Sequence, residues 1–191
     1  MPKIIISISG KKGAGKDTCA NIMINYLLKN YPLLNVKKLS FAYPIKKFIS
    51  KQWGFSFDMI EEWKNKDLKT VGHKTMRELL QDTGMNLREV FGEDIFVKTL
   101  KKEIDKNDYD IIFIPDLRFK NEYKSLLDDY SDYEYYAIKI ERDLPSKDKH
   151  ISEKEWENLI FDYVIKNEKM EDFTIECLKI ISEIIERHRY E

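Results

Sequence analysis

Ile4-Ile5-Ile6-Ser7-Ile8-Ser9-Gly10-Lys11-Lys12-Gly13-Ala14-Gly15-Lys16-Asp17-Thr18 is the stretch from which the fold can be read. Six residues of strand length and β-branched character run into a glycine turn, and the turn runs into a helical pattern beginning at Lys16. Gly10, Gly13 and Gly15 let the backbone curl until successive N–H groups converge, with Ala14 small enough to pass between them. The helix start adds its partial positive charge, and Lys16 is placed to reach the outer groups of a phosphate chain. A tight turn with no ligand is the plain alternative, but it gives no reason for a Lys at the helix start.

The usual pattern puts a hydroxyl directly after the Lys, where it helps hold magnesium. Here Asp17 takes that place and the hydroxyl follows at Thr18. Asp17 is expected either to meet the water shell of a magnesium ion or to favour the helix start by its charge. Both readings stay open at this point.

Outward from the loop, apolar runs at 4–9, 36–41, 110–114, 135–141 and 161–166 predict five strands. Helical patterns at 16–29, 44–53, 75–90, 94–104, 121–127 and 172–188 separate and follow them. Strands alternating with helices imply an α/β fold, a five-stranded parallel sheet with helices on both faces. In such sheets ligands lie beyond the carboxyl ends of the strands. Residues 52–74, where aromatic and charged side chains keep no single period, are expected as a short helix and loop. No linker or repeat divides the chain, so 1–191 is expected to be a single domain.

Asp116 and Arg118 follow the third strand in Pro115-Asp116-Leu117-Arg118: an acid that can orient magnesium through water, and a base that can neutralise a phosphoryl group in transfer. Arg142 ends the fourth strand and begins a polar stretch, about 142–152, that predicts a short lid. Phe41, Ala42 and Lys46 follow the second strand, where they could line and charge an acceptor pocket. Arg77, Gln81 and Arg88 share one helical face, with the Arg fork suited to phosphate and the Gln amide to a base edge. Exposed polar faces and surface ion pairs are the competing readings for each of these. Only six of the 33 basic residues are Arg, so each internal Arg is a candidate for a specific task.

Composition narrows the function. A formal net charge of -1 argues against a nucleic-acid partner bound through a basic surface. No apolar run approaches the roughly 20 residues that cross a bilayer, and no membrane partner is expected. The N-terminus lacks a signal-peptide cleavage site, which is read as a mature, soluble, cytoplasmic chain. Cys19 and Cys177, without metal-like spacing, are expected as core thiols. His150, beside a Ser152/Glu155 capping box, is expected to be structural.

Taken together these segments resemble the bacteriophage-type deoxynucleoside monophosphate kinases, within the P-loop nucleoside monophosphate kinase group. The resemblance rests on residues 10–18, Phe41-Ala42-Tyr43-Pro44-Ile45-Lys46, Arg77-Glu78-Leu79-Leu80-Gln81 with Gly84, Pro115-Asp116-Leu117-Arg118, His150-Ile151-Ser152-Glu153, and the closing run 161–167. It implies a P-loop kinase fold with a short lid and an acceptor-binding insertion at about 41–92. It implies transfer of a phosphoryl group from ATP, with Mg2+, to a (deoxy)nucleoside monophosphate. Lys16, Arg118, Arg142 and Asp116 would be catalytic, and Gly10, Gly13, Ala14, Gly15, Lys16, Asp17 and Thr18 would bind ATP. Lys12, Phe41, Ala42, Lys46, Arg77, Gln81 and Arg118 would bind the acceptor, and Asp17 and Asp116 would meet the metal through water. The partners are then small-molecule nucleotides, and a homodimer is compatible with this reading. Animal-type phosphomevalonate kinases are also similar in the loop and the Asp-x-Arg segment, and a non-catalytic ATP-binding switch is the third alternative.

Overall fold

The structure, a computed structural model, describes residues 3–68, 72, 75–143 and 155–188. The chain packs as two compact units, one formed by Met1–Ser40 with Glu103–Glu191 and the other by Phe41–Lys102.

The first unit is an α/β fold built on a parallel sheet. Its strands are β1 (Lys3–Gly10), β2 (Val36–Lys38), β3 (Ile111–Ile114), β4 (Tyr133–Glu141) and β5 (Tyr163–Lys166). They form one sheet in the order β2-β3-β1-β4-β5, and every pair is parallel. The alternation of β-branched residues on β1 accounts for its central place: Ile4, Ile6 and Ile8 face one side and Ile5 the other, all fully buried. α1 (Lys16–Asn30) and α7 (Met170–Arg187) cover the first side. Their Cys19, Met23, Leu27, Phe173, Cys177, Ile181 and Ile184 join Ile4, Ile6, Ile8, Phe113, Ile138 and Ile165 in one core. α6 (Lys120–Asp129) lies over the opposite side, where Tyr123 packs edge-on against Tyr135 and the Tyr135 hydroxyl meets the Ser7 hydroxyl at 2.6 Å.

All five strands expected from the sequence are present. β2 is shorter than expected because its partner β3 has only four residues. Leu39 adds one N–H to Phe113 O at 2.8 Å, and the chain then turns away. β1, between β3 and β4, is the strand from which the chain first leaves toward one edge and later fills the other. The carboxyl ends of β1, β3 and β4 therefore border the crevice where such sheets bind ligands.

The second unit contains α2 (Tyr43–Trp53), α3 (Phe57–Glu62) and α4 (Met76–Phe91), with most of α5 (Ile95–Asp105). Its core is Ile49, Ile60, Leu68, Met76 and Leu79, with Trp63 and Phe55 packed against it. Ser56 and Thr75 cap α3 and α4 by accepting from Met59 N–H and Glu78 N–H, each at 3.1 Å, so both helix starts are set by local chemistry. The mixed stretch 52–74 contains α3, as expected. The expected lid falls largely on 144–154, and His150 with Ser152 falls there too; these lie outside the described residues.

Candidate active site

The loop after β1 is built by backbone freedom. Gly10, Gly13 and Gly15 have φ of 148°, 76° and 106°, values that side-chain-bearing residues rarely adopt. Close approach adds a second requirement. A Cβ on Gly10 would lie 2.5 Å from the Ile140 carbonyl oxygen, and one on Gly15 would lie 2.5 Å from Asn167 Nδ2. α1 begins at Lys16 with no side chain capping its first turn, so its leading N–H groups stay directed at the loop.

Lys16 is 8% exposed, and its ammonium donates to the Gly10 and Lys11 carbonyls at 2.7 and 2.9 Å. A buried cation thus stands inside the curl of the loop. Asp17 points to the side instead: its carboxylate pairs with Lys38 of β2 at 2.7 Å and is largely exposed. Thr18 and Lys12 are exposed and Ala14 is buried.

The other strand ends of this unit meet the loop. Ser9 donates to Leu117 O at 2.7 Å, tying the base of the loop to the Asp116-Leu117-Arg118 segment. Asp116 accepts from the Ser40 hydroxyl at 2.7 Å. Arg118 and Phe119 N–H groups donate to the buried Glu122 carboxylate at 3.0 and 3.1 Å, which fixes the backbone from which the Arg118 side chain departs. Arg142, at the end of β4, donates to Gly13 O at 3.2 Å. Asn167, at the end of β5, donates from Nδ2 to Ala14 O at 2.7 Å. Beside the loop lies a depression of about 470 Å3 lined by Lys11, by 139–143 of β4 and the residues after it, and by Lys166 and Trp156. The Trp156 indole N–H is buried with no acceptor among the described residues.

In the second unit Phe41 is buried, Ala42 precedes α2, and Arg77 and Gln81 are half-buried on α4. Lys46 pairs with Glu61 at 2.6 Å, and Lys64 pairs with the same carboxylate. Burial pushes the Glu61 carboxyl up, but the hydrogen bonds from Lys46 and Lys64 outweigh it and hold the group below its ordinary value. Arg88, which periodicity sets on the face of Arg77 and Gln81, is 6% exposed. It donates to Glu93 O at 2.6 Å and stacks over the Phe96 ring, so it serves the end of its own helix.

Ser9, Ser40, Glu122 and Asn167 were not among the residues expected to build the site. The first three are small or acidic residues at strand or helix ends with no distinguishing pattern. Asn167, which closes the run 161–167, bonds a backbone carbonyl, a partner for which the sequence carries no signal. Among the described residues no three His, Cys, Asp or Glu side chains come together as a metal cage, and no helix is long and apolar enough to cross a membrane.

No family model matches the chain. It is 27% identical to a protein of Acanthamoeba polyphaga mimivirus named "Putative deoxynucleotide monophosphate kinase", over 93% of this chain and 96% of that one. Among solved structures it is similar in fold to TT1252 from Thermus thermophilus, with a TM-score of 0.54, 14% identity and coverage of 96% and 98% of the two chains. An APS kinase of Mycobacterium tuberculosis aligns at a TM-score of 0.46 and 13% identity, covering 97% and 98%. The likeness to the mimiviral protein, over nearly the whole of both chains, agrees with the resemblance drawn from the loop and its companion segments.

Proposed function

We propose that the chain is a phosphotransferase of the P-loop kinase fold that moves the terminal phosphoryl group of ATP to a (deoxy)nucleoside monophosphate. The observation that carries the reading is the buried Lys16 ammonium inside a loop of three positive-φ glycines, at the uncapped start of α1. A cation and a ring of amides held in advance are what charge on a transferring phosphoryl group requires, and they need little rearrangement when it arrives. The mimiviral relative's name supports the acceptor class.

In this reading Lys16 exchanges its two loop carbonyls for donor phosphate oxygens. The donor's nucleoside takes the adjoining depression, between Lys11, Arg142 and Trp156. Gly10, Gly13, Ala14, Gly15 and Thr18 supply the loop and helix start around the phosphates. Arg118 and Arg142 neutralise the transferring group, the second by leaving Gly13 O. Phe41, Ala42, Lys46, Arg77 and Gln81, all in the second unit, are the acceptor residues of this reading.

Magnesium keeps most of its water and takes only one or two carboxylates beside the substrate's phosphates, so a lone acid at a strand end fits it and a protein cage is not needed. Asp116, oriented by Ser40, suits that place. Asp17 can join the water shell on release from Lys38. The ion, when bound, screens the donor phosphates' charge during transfer.

The test is ADP release from ATP and magnesium with a panel of all common deoxy- and ribonucleoside monophosphates and phosphomevalonate, each over a range of concentrations. One or more deoxynucleoside monophosphates are expected to be turned over. Acceleration by phosphomevalonate alone would refute the acceptor assignment, and ATP binding with no acceptor turned over would leave a nucleotide switch.

A further inference from the structure

A loop that grips phosphate through its backbone works only while its amides point inward, and glycine and alanine have no side chains with which to hold them there. A peptide unit is planar and trans, so its C=O and N–H point in opposite directions. A hold on the carbonyl is therefore a hold on the amide behind it. The Ala14 carbonyl accepts a 2.7 Å hydrogen bond from Asn167 Nδ2. The N–H of that same peptide unit belongs to Gly15, and it leaves on the side away from Asn167.

Asn167 is itself well anchored. It is 6% exposed, and its own N–H donates to Glu141 O at 2.8 Å, extending the β4–β5 ladder by one bond. The fit is close on the loop side as well, since the missing Cβ of Gly15 is the space that Asn167 Nδ2 approaches. Arg142, the residue after Glu141, holds the preceding loop carbonyl at Gly13. Two consecutive carbonyls of the loop are thus taken by the ends of two adjacent strands. The Arg142 contact is exposed, whereas the Asn167 contact is buried.

We infer that Asn167 is a positioning residue of the phosphate site: its carboxamide fixes the Ala14–Gly15 peptide so that the Gly15 N–H faces the donor's phosphates. The inference rests on the reading of this loop as the site for the ATP phosphates. Asn suits the task because it is short, neutral and a donor. A carboxylate of the same shape would turn an acceptor on an acceptor.

Asn167→Asp makes that change with almost no change in volume. The measurement is the affinity of wild type and variant for ATP and for inorganic triphosphate by calorimetry, across the range from about pH 8 to about pH 5, with thermal unfolding in parallel. At the alkaline end the variant is expected to bind both ligands at least about tenfold more weakly, the usual scale for one buried hydrogen bond. As pH falls, the introduced carboxyl regains an O–H that can donate to Ala14 O, and its ratio to wild type is expected to recover. Burial beside a carbonyl raises its pKa and brings the recovery into the measured range. A merely structural role would lower the unfolding temperature without a pH-dependent return of triphosphate affinity. Asn167→Ala, which removes the donor and introduces no charge, is expected to lose affinity with no recovery, and it serves if the Asp variant does not fold. Equal triphosphate affinity in wild type and both variants at every pH would overturn the inference alone. A wild-type protein that binds no triphosphate would overturn the phosphate-site reading beneath it.

Discussion

Replacing Gly10 by Ala should destabilise the first unit severely, and the cost can be worked from two separate features. The first is conformational: φ of 148° is a region where a residue with a Cβ is strained by about 1–3 kcal/mol. The second is steric. The new Cβ would meet the Ile140 carbonyl oxygen at 2.5 Å, and because Gly10 and Ile140 are register partners in the β1–β4 ladder, neither backbone can withdraw without breaking strand pairing. Overpacking of this kind costs about 1–3 kcal/mol. The sum, about 2–6 kcal/mol, is a large share of a typical domain's stability and corresponds to a fall of about 4–24 °C in unfolding temperature for a chain of this size. Gly15→Ala is the internal comparison, since its Cβ would meet the side-chain amide of Asn167 rather than a backbone carbonyl, and moving that amide gives up one hydrogen bond, to Ala14 O, without breaking strand pairing. Calorimetric or circular-dichroism melts of the two variants should therefore place Gly10→Ala below Gly15→Ala. A Gly10→Ala protein melting within about 2 °C of wild type, or the reverse order of the two variants, would refute the close β1–β4 approach on which the argument depends.

Three further outcomes are expected. Lys16→Ala should keep its fold and lose at least about 100-fold in turnover, measured as steady-state ADP release, because it removes the one buried cation of the loop; near-normal turnover would remove Lys16 from the mechanism. Arg77→Lys keeps the charge but not the planar fork, so acceptor KM should rise more than ATP KM, and equal effects would move Arg77 away from the acceptor. Glu61, held below its ordinary value in the folded protein, contributes stability that is present above the unfolded-state value and is lost as pH falls through the lowered one. Glu61→Gln should accordingly unfold at lower denaturant concentration than wild type at neutral pH, with the gap closing in acid; a gap that persists there would refute the ion-pair account.

The fold was legible because three different signals agreed on it. Apolar runs of strand length marked the strands, helical patterns marked the helices, and the glycine turn fixed where the first strand became the first helix. The stripe Phe173, Cys177, Ile180, Ile181 and Ile184 faces the core as its spacing implies. Strand order was not legible, since pairing among five apolar runs is decided by tertiary packing. The extent of β2 was not either, because an edge strand ends where its partner ends, and the length of β3 is a fact about a different part of the chain.

Arg77 and Arg88 show where the reading of sites loses its grip. Eleven residues apart on one helix, they occupy nearly the same angular position, so helical geometry alone assigns them the same surroundings. What separates them is the chain beyond the helix. Gly92 ends α4 and returns Glu93 and Phe96 against Arg88, which is consumed by a carbonyl and a ring, whereas Arg77 sits at the first turn, where Thr75 rather than Arg77 meets the local capping need. Asn167 is the complementary case. Its partner Ala14 lies 153 residues away and accepts through the backbone, which every residue except its neighbours could have offered equally well. Side-chain chemistry is written residue by residue, but backbone acceptors are anonymous in a sequence. The groups that hold a phosphate loop by its carbonyls therefore become visible only when the strand ends are brought together.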